Sequence, residues 1–470
     1  MADYDFSRIE EGLVGDLCDI IAVPTVNNGN PKPGMPFGED VAAGFDWVRA
    51  KAAEFDFDVT EFDGYALQVD IGTGEHVVGV LCHVDVVPAG DGWESDPFEG
   101  IVKDGKLFGR GTVDDKGPLV CALYAAKHLR DNGMIPDDSR IRIVVGGDEE
   151  VGWEDIKYYT EHAEAPEISF AADGMFPLIF GEKGLIDFDY IWKIERDGAS
   201  QVRLVSFEGG VARNSVPTNA RFELVAACPE DAARTLEDAA RALCVEAQVS
   251  CDGERVEAIV QGKGAHAMFP ERGVNAVVGT MALLDALGEE LDCHAFVAAF
   301  ARRVGGDYNG GLLGCACADE ASGPLTLNVG KLAVEGDTAT AALDIRYPIS
   351  ADFETILGVV KEAAEDMGCA FEMAEHLGPI YFKRDDEVVV LLEKAYRDVT
   401  GDMESEPFTV GAATFARTMR NTVAFGPIFP GQVEMSHLPN EFIAIEDLDK
   451  CTEIYIRALS NLLTRENKGR

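Results

Sequence analysis

Hydrophobic patterning predicts a strand, a helix and a second strand within residues 76–145. Residues 76–82 form a continuous apolar run of strand length, typical of a strand buried on both faces. Residues 116–132 carry apolar positions at helical spacing, with Pro118 just inside the start and Gly133 just past the end. Residues 139–145 alternate apolar and polar positions. This order predicts an α/β sheet with crossover helices, in which ligands bind beyond the carboxyl ends of the strands.

The pattern changes beyond Gly184 and returns near the end of the chain. Strand-like alternation and helical spacing are mixed from Gly184 to Tyr347, in segments that include residues 186–195, 200–210, 221–227 and 230–244. Helical patterns over residues 388–400 and 445–465 resemble the opening portion, where residues 6–23 predict a first helix that Pro24 ends.

A chain of 470 residues is too long for one hydrophobic core. We therefore predict a discontinuous α/β catalytic domain, residues 1–185 and 384–470, with a mixed central sheet flanked by helices. A large inserted α+β lid domain, residues 186–383, interrupts it.

The composition is strongly acidic along the whole chain. Lys and Arg total 40 against 84 for Asp and Glu, which gives a formal net charge of −44. This balance argues against nucleic acid and against an anionic membrane as partners. Solubility is the simplest explanation of such acidity. The negative electrostatic field of the protein would also attract cations, metal ions included.

Cysteine usage indicates a reducing compartment. The 11 cysteines include no CxxC pair, and Cys315 and Cys317 are too close in sequence for an ordinary disulfide. The chain begins with acidic residues, without a signal-like segment, and has no apolar run of transmembrane length. We expect a soluble, cytoplasmic protein with free thiols.

His83 and Asp85 end the first apolar strand. Residues i and i+2 of a strand point to the same side, so Asp85 can hold one imidazole nitrogen while the other faces a metal. His162 and Glu164 have the same spacing, but they lie in a polar acidic stretch typical of a surface.

Two acidic clusters follow. Asp114 and Asp115 lie between glycines directly before the predicted helix, where a helix N-cap is the simpler interpretation. Asp148, Glu149 and Glu150 follow the second strand, where three successive acids indicate a bound cation or a strained network, with an exposed acidic turn as the simple alternative.

Asp173 and His437 occur in otherwise apolar settings. Each alone is more typical of a hydrogen-bonded structural residue. Together with the preceding clusters they supply histidines and carboxylates at strand ends of one domain, the ligand mixture that zinc, cobalt or manganese accepts.

The motifs LCHVDVVPAGDGW, GRGTVDDKGP, GGDEEVGW, FAADG and SHLPNEF resemble, in this order, the metal-site motifs of the M20 family of co-catalytic metallopeptidases. The resemblance extends over essentially the whole chain. Within the family, FGEKG, FEGGVARNSVP and GKGAHAMFPERGVNA are most similar to the PepV-type and carnosinase-like dipeptidases.

The resemblance implies two divalent metal ions, most simply zinc, with manganese or cobalt as alternatives. Asp114 would bridge them, and the implied ligand set is His83, Asp114, Glu150, Asp173 and His437. It also implies a cis peptide bond between Asp114 and Asp115.

The resemblance further implies catalytic roles for Glu149 and Asp85. A hydroxide bridging the metals would attack the peptide bond, since two cations lower the pKa of a bound water from 15.7 to about 7. Glu149 would be the general base and Asp85 would orient His83. We expect Glu149 and Glu150 to lie on extended backbone and to point to different sides.

In the insertion, His266 resembles a lid histidine that stabilises the oxyanion, and Asn214 and Arg346 resemble groups that hold the substrate carboxylate. A turn histidine and a strand salt bridge are the structural alternatives for His266 and Arg346. Residues 411–414, Gly-Ala-Ala-Thr, depart from the Gly-rich run of relatives. If the substrate carboxylate rests on the amides of this segment, the added methyl groups would narrow or alter specificity.

The sequence thus favours a dipeptidase that hydrolyses short peptides with a free C-terminal carboxylate. An N-acyl-amino-acid deacylase with the same site is the main alternative, and a catalytically silent binding relative is a weaker one. Metal-dependent phosphoester hydrolysis is disfavoured by Asn214 and Arg346. Relatives with an insertion of this length tend to be monomeric, so we expect a monomer that acts on small peptides.

Overall fold

The computed structural model describes residues 7–466. They divide into two compact units. The first comprises the residues up to Phe180, Phe382–Phe408 and the residues from Ala413 onward, and the second comprises Gly181–Tyr381 and Thr409–Ala412.

The α-helices are α1 Ser7–Ile21, α2 Glu39–Glu54, α3 Lys116–Asp131, α4 Glu154–His162, α5 Pro229–Leu243, α6 Ala276–Asp285, α7 His294–Arg303, α8 Phe353–Met367, α9 Glu387–Thr400 and α10 Ile445–Leu463. Short 3₁₀ helices cover Pro270–Arg272, Gly288–Glu290 and Phe415–Thr418.

The strands are β1 Asp58–Phe62, β2 Ala66–Ile71, β3 His76–His83, β4 Ile101–Lys103, β5 Lys106–Phe108, β6 Ser139–Gly146, β7 Ile168–Ala171, β8 Gly174–Met175, β9 Ile179–Glu182, β10 Gly184–Lys193, β11 Val202–Gly209, β12 Asn219–Ala226, β13 Glu246–Asp252, β14 Arg255–Gln261, β15 Ala318–Asp319, β16 Gly323–Pro324, β17 Thr326–Glu335, β18 Thr338–Tyr347, β19 Ala370–Leu377, β20 Ile380–Tyr381, β21 Phe408–Val410, β22 Thr422–Ala424, β23 Pro427–Ile428 and β24 Phe442–Ala444.

The sheet of the first unit has the strand order β1-β2-β6-β3-β7-β22-β9. Strands β6, β3, β7 and β22 run parallel to one another, whereas β1 and β2 are antiparallel to their neighbours. The predicted mixed central sheet is confirmed.

Strand β3 is central in this sheet and is buried at every residue after His76. Its neighbours β6 and β7 are both parallel to it, and helices α3 and α10 pack against it. Burial on both faces explains the continuous apolar run. Since parallel strands end at one edge, His83, the turn after Gly146 and the segment after Ala171 meet there.

The helices that were predicted from periodicity lie close to their predicted bounds. Helix α3 ends at Asp131, one residue before the predicted end, and α10 ends at Leu463, two residues before it. Helix α1 runs to Ile21 and stops before Pro24. The predicted first residue of that helix, Phe6, lies outside the described residues.

The second unit contains an eight-stranded antiparallel sheet of order β13-β14-β12-β11-β17-β18-β10-β19, together with helices α5 to α8. Along β10 the even-numbered residues from Ile186 to Trp192 are buried in its hydrophobic core, whereas Asp187 and Asp189 alternate with them. The alternation places these two aspartates on the other face of the sheet. The assignment of residues 186–383 as a lid stays a prediction.

All 11 cysteines are free thiols. Among the described helices, none combines the length and the apolar character needed to cross a membrane.

Candidate metal centre

The strand edge of the first unit collects His83, Asp114 and Asp173 into one group. His83 is the last residue of β3, Asp173 follows β7, and Asp114 lies two residues before α3. One ligand atom of each residue lies within 4.8 Å of the others. This group holds one imidazole and two carboxylates.

A second group contains Asp114, Glu150 and His437, again with ligand atoms within 4.8 Å of one another. His437 Nε2 lies 3.1 Å from Asp114 Oδ2 and 3.1 Å from Glu150 Oε2. His437 has a positive φ of 65°, a backbone conformation that is uncommon for a residue other than glycine.

Asp114 belongs to both groups through different oxygens. Its Oδ1 lies 3.1 Å from His83 Nε2, and its Oδ2 faces His437. Burial raises the pKa of Asp114, but hydrogen bonds from His437 and His83 outweigh it and hold the pKa well below the usual range. A carboxylate with this division of its oxygens can join two cations.

Asp85 orients more of the site than the sequence indicated. It is fully buried, with Oδ1 3.3 Å and its main-chain oxygen 3.0 Å from His83 Nδ1. Its two carboxylate oxygens also accept the backbone N–H groups of Glu149, at 3.2 Å, and Glu150, at 3.0 Å. Asp85 therefore fixes one imidazole and the acidic turn together.

The predicted extended backbone at Glu149 and Glu150 is wrong, because both residues lie in a turn. The turn directs both amides toward Asp85, which two successive residues of a flat strand could not do. The side chains nevertheless differ: Glu150 meets His437, whereas Glu149 Oε1 is buried without a hydrogen-bond partner.

The helix-cap interpretation of Asp114 and Asp115 is also wrong. Asp115 occupies the N-cap position of α3, but its side chain makes no capping hydrogen bond. Its Oδ2 instead accepts the backbone N–H of His83 at 3.0 Å. The peptide bond between Asp114 and Asp115 is cis, as the family resemblance implied.

Charge crowding makes this cluster suited to cations. Burial raises the pKa of Asp173 to about 8, with Asp114 adding to the shift. Burial lowers the pKa of His437, but hydrogen bonds to Asp114 and Glu150 outweigh it and raise the pKa to about 12. Protons thus supply the positive charge that the carboxylates require, and divalent cations can replace them.

The Oε1 atom of Glu149 is buried and has no hydrogen-bond partner. Burial raises its pKa well above the ordinary value, and the charges of Asp173 and Glu150 add to this shift. Its unpartnered buried oxygen and the imidazole and carboxylate donors around it fit divalent ions such as zinc, manganese or cobalt.

Arg110 and Glu441 form a buried ion pair that the sequence analysis did not identify. Arg110 Nη1 donates to Glu441 Oε2 at 2.7 Å and to the Leu438 carbonyl at 3.4 Å. Glu441 also accepts the backbone N–H groups of Gly111, at 3.1 Å, and Val113, at 2.9 Å. The pair ties the segment before Asp114 to the segment that carries His437. Glu441 lies in the SHLPNEF motif, and its place in this motif is the feature of the sequence that could have identified it.

Asn214 and His266 lie on neighbouring segments of the second unit. Ala267 N donates to the Asn214 carbonyl at 2.9 Å, and Met268 N donates to His266 Nδ1 at 3.1 Å. Because Nδ1 accepts this hydrogen bond, the proton of a neutral His266 ring lies on Nε2.

Arg346 lies in β18 of the same unit, and its guanidinium is bound by Asp344 and by the Gly411 carbonyl. The binding roles of Asn214, His266 and Arg346 stay predictions. His162, expected at the surface, is exposed on α4.

Residues 79–461 match the model of the peptidase family M20/M25/M40. The chain is 34% identical over 465 residues to a protein of Bacillus subtilis named "Putative dipeptidase YtjP", covering 98% of this chain and 99% of that protein. A second relative, "Putative dipeptidase SSP1012" of Staphylococcus saprophyticus, is 34% identical, covering 97% and 98% of the two chains.

Solved structures share the fold. Human carnosine dipeptidase 1 is similar with a TM-score of 0.60 and 15% identity, covering 98% of both chains. The dipeptidase Dug1p of Saccharomyces cerevisiae has a TM-score of 0.60 and 14% identity, again covering 98% of both chains.

Proposed function

The chain belongs to the peptidase family M20/M25/M40, and on this premise we propose that it is a dipeptidase with two catalytic metal ions. The observation that carries the proposal is the pair of ligand groups that share Asp114, beside the unpartnered buried Glu149. The similarity to proteins named as dipeptidases, over almost their full lengths, supports the substrate class.

Five side chains would hold the metal ions. His83 and Asp173 would hold one ion, Glu150 and His437 the other, and Asp114 would contact both. Bound divalent cations supply Lewis acidity, which polarises a carbonyl and makes water more acidic. Zinc is our first choice of metal.

Glu149 would move the proton in the reaction. Its carboxylate would take a proton from the attacking water as the new C–O bond forms. It would then pass this proton to the amide nitrogen, and the peptide C–N bond would break to release the amine. Asp85 supports this step, because it holds the Glu149 and Glu150 amides as well as His83. Asp85 therefore holds Glu149 and two of the proposed metal ligands, His83 and Glu150, in place.

His266, Asn214 and Arg346 would bind the substrate. With Nδ1 of His266 occupied by the Met268 amide, Nε2 carries a proton that can stabilise negative charge on the carbonyl oxygen. The Arg346 guanidinium suits the terminal carboxylate, with Asn214 as a second polar contact. These roles support a requirement for a free C-terminus.

We further propose that the enzyme works as a monomer in the cytoplasm. The 11 free thiols support a reducing compartment. The monomer prediction rests on the length of the insertion alone.

A panel of unblocked dipeptides, N-acetylated counterparts and C-terminally amidated counterparts tests the function. Each is assayed after chelation and after addition of zinc, manganese or cobalt. We expect cleavage of the unblocked set only, and only with metal restored. Preference for the acetylated set would make the protein a deacylase, and activity that survives chelation would contradict the metal mechanism.

A further inference from the structure

We propose that Asp344 is a positioning residue that sets the orientation of Arg346 and thereby the preference for a free C-terminal carboxylate. The inference rests on the proposed function of Arg346 as the carboxylate-binding group. It assigns to Asp344 a role that the sequence motifs do not indicate.

The contact between the two residues is bidentate and buried. Arg346 Nε donates to Asp344 Oδ1 at 2.8 Å, and Arg346 Nη2 donates to Asp344 Oδ2 at 2.6 Å. Asp344 is 0% exposed and Arg346 is 5% exposed. Two parallel hydrogen bonds fix the plane of a guanidinium as well as its position.

The contacts with Asp344 and Gly411 leave Arg346 two N–H groups that can donate to a substrate. A guanidinium has five N–H groups, and Asp344 uses the one on Nε and one on Nη2. Nη1 donates to the Gly411 carbonyl at 3.2 Å. One N–H on each terminal nitrogen remains, which is enough for the two oxygens of one carboxylate.

Gly411 is held against the same arginine by close packing. A Cβ at position 411 would lie 2.8 Å from Met268 Cβ and 3.9 Å from Arg346 Cβ. Only a glycine fits this approach without displacing Met268, so its carbonyl reaches Nη1. Asp344 and Gly411 therefore hold the guanidinium from two directions.

Two further carboxylates lie across the neighbouring strands from Asp344, and the hydrogen bonds to Arg346 distinguish Asp344 from them. Asp187 lies directly opposite Asp344 on β10, and Glu375 lies opposite Asp187 on β19. Asp187 Oδ1 has no hydrogen-bond partner, whereas both oxygens of Asp344 are bound to Arg346. Asp187 is thus a neighbouring carboxylate that contributes charge without orienting the guanidinium.

An ordinary structural salt bridge is the alternative. Loss of such a bridge would lower stability and change turnover of all substrates alike. Loss of a positioning residue would instead weaken recognition of the free carboxylate, so the ratio of two substrates separates the two roles.

The test compares Asp344→Asn with the matched variant Asp187→Asn in the full-length, metal-loaded enzyme. The substrates are Ala-Ala and Ala-Ala amide, and thermal unfolding monitors the fold. For Asp344→Asn we expect the ratio of kcat/KM for acid over amide to fall about tenfold, mainly through KM for the acid. For Asp187→Asn the ratio should stay within twofold of the wild-type value.

Arg346→Gln separates failure of this inference from failure of the proposed function. If the wild type cleaves neither substrate, the proposed function falls and the inference with it. If Arg346→Gln abolishes the preference while Asp344→Asn keeps it, only the role of Asp344 is overturned. Should Asp344→Asn not fold, Asp344→Glu, which keeps the charge but lengthens the side chain, must lower the ratio for the inference to stand.

Discussion

Adjacent residues of the metal centre differ because their surroundings differ. Glu149 and Glu150 are the same residue type, and both donate their amides to Asp85. Only Glu150 meets an imidazole, whereas a buried oxygen of Glu149 has no partner. The local environment thus separates the proposed ligand carboxylate, Glu150, from the carboxylate proposed to take a proton, Glu149.

Glu149→Gln tests this separation. The amide keeps the size of the side chain but cannot take a proton, so we expect kcat to fall about 10²- to 10⁴-fold. Metal affinity should change little, because Glu149 is not in either ligand group. Activity within tenfold of wild type would contradict the role, and a matched Glu150→Gln variant should lose metal affinity instead.

Local motifs predicted the candidate ligands, since His83, Asp114 and the acidic turn each follow a recognisable strand or precede a recognisable helix. Their supporting contacts could not be predicted in this way. Arg110 and Glu441 are 331 positions apart, and neither has a pattern that indicates its partner. The contact of Asp344 with Arg346 could not be predicted from the sequence either, because an aspartate in a strand has many possible partners.

At the scale of elements, the ion pair of Arg110 and Glu441 joins segments that are far apart in sequence. Glu441 binds the turn before α3, and Arg110 reaches the Leu438 carbonyl next to His437. The positions of Asp114 and His437 therefore depend on one buried carboxylate.

Glu441→Gln should destabilise the protein and weaken metal binding. The substitution leaves a buried arginine unpaired, which costs about 3–5 kcal/mol. Loss of such support typically weakens metal affinity about 10- to 100-fold. Thermal unfolding and metal titration measure the two effects.

Glu446→Gln is the matched control. Glu446 pairs with Lys450 on the surface of α10, and both side chains are exposed. Its loss should leave the free energy of unfolding nearly unchanged, because an exposed ion pair contributes little to stability. Equal effects of the two variants would contradict the role of Glu441.

Several long periodic elements were predicted from the sequence, whereas the short strands β4 and β5 were not. The apolar run of β3 and the spacing of α3 arise from burial of whole faces. Strands β4 and β5 have three residues each, too few for a period to be recognised. The turn at Glu149 was mistaken for extended backbone because its shape depends on Asp85, a residue of another element.

At the scale of the molecule, the sequence predicted two folding units from a change of patterning near Gly184. The structure divides at Gly181 and Tyr381 and adds the short segment Thr409–Ala412 to the second unit. That segment could not be predicted, because its place depends on contacts such as Gly411 with Arg346, far away in the sequence. The strand order of both sheets was likewise beyond local patterns.

The net charge of −44 also belongs to the whole molecule. The candidate metal centre also holds more carboxylates than cationic groups. Four carboxylates lie there with two histidines: Asp114, Glu149, Glu150 and Asp173. Without divalent cations, protons must offset this charge. Metal binding and proton release should therefore be coupled.

Calorimetric titration of zinc into the chelated protein tests the central claim most directly. At pH 7 the raised pKa values of His437, about 12, and Asp173, about 8, keep both groups protonated in the metal-free protein. Binding needs the deprotonated forms, so metal affinity should rise as the pH rises toward these values. Buffers of different ionisation enthalpy report the number of protons released.

We predict two zinc ions bound per chain, with release of at least about two protons at pH 7. His437→Ala should lower the stoichiometry to one, because the group of His83, Asp114 and Asp173 stays complete. A single zinc ion in the unmodified protein, or binding without proton release, would contradict a site in which Asp114 joins two cations.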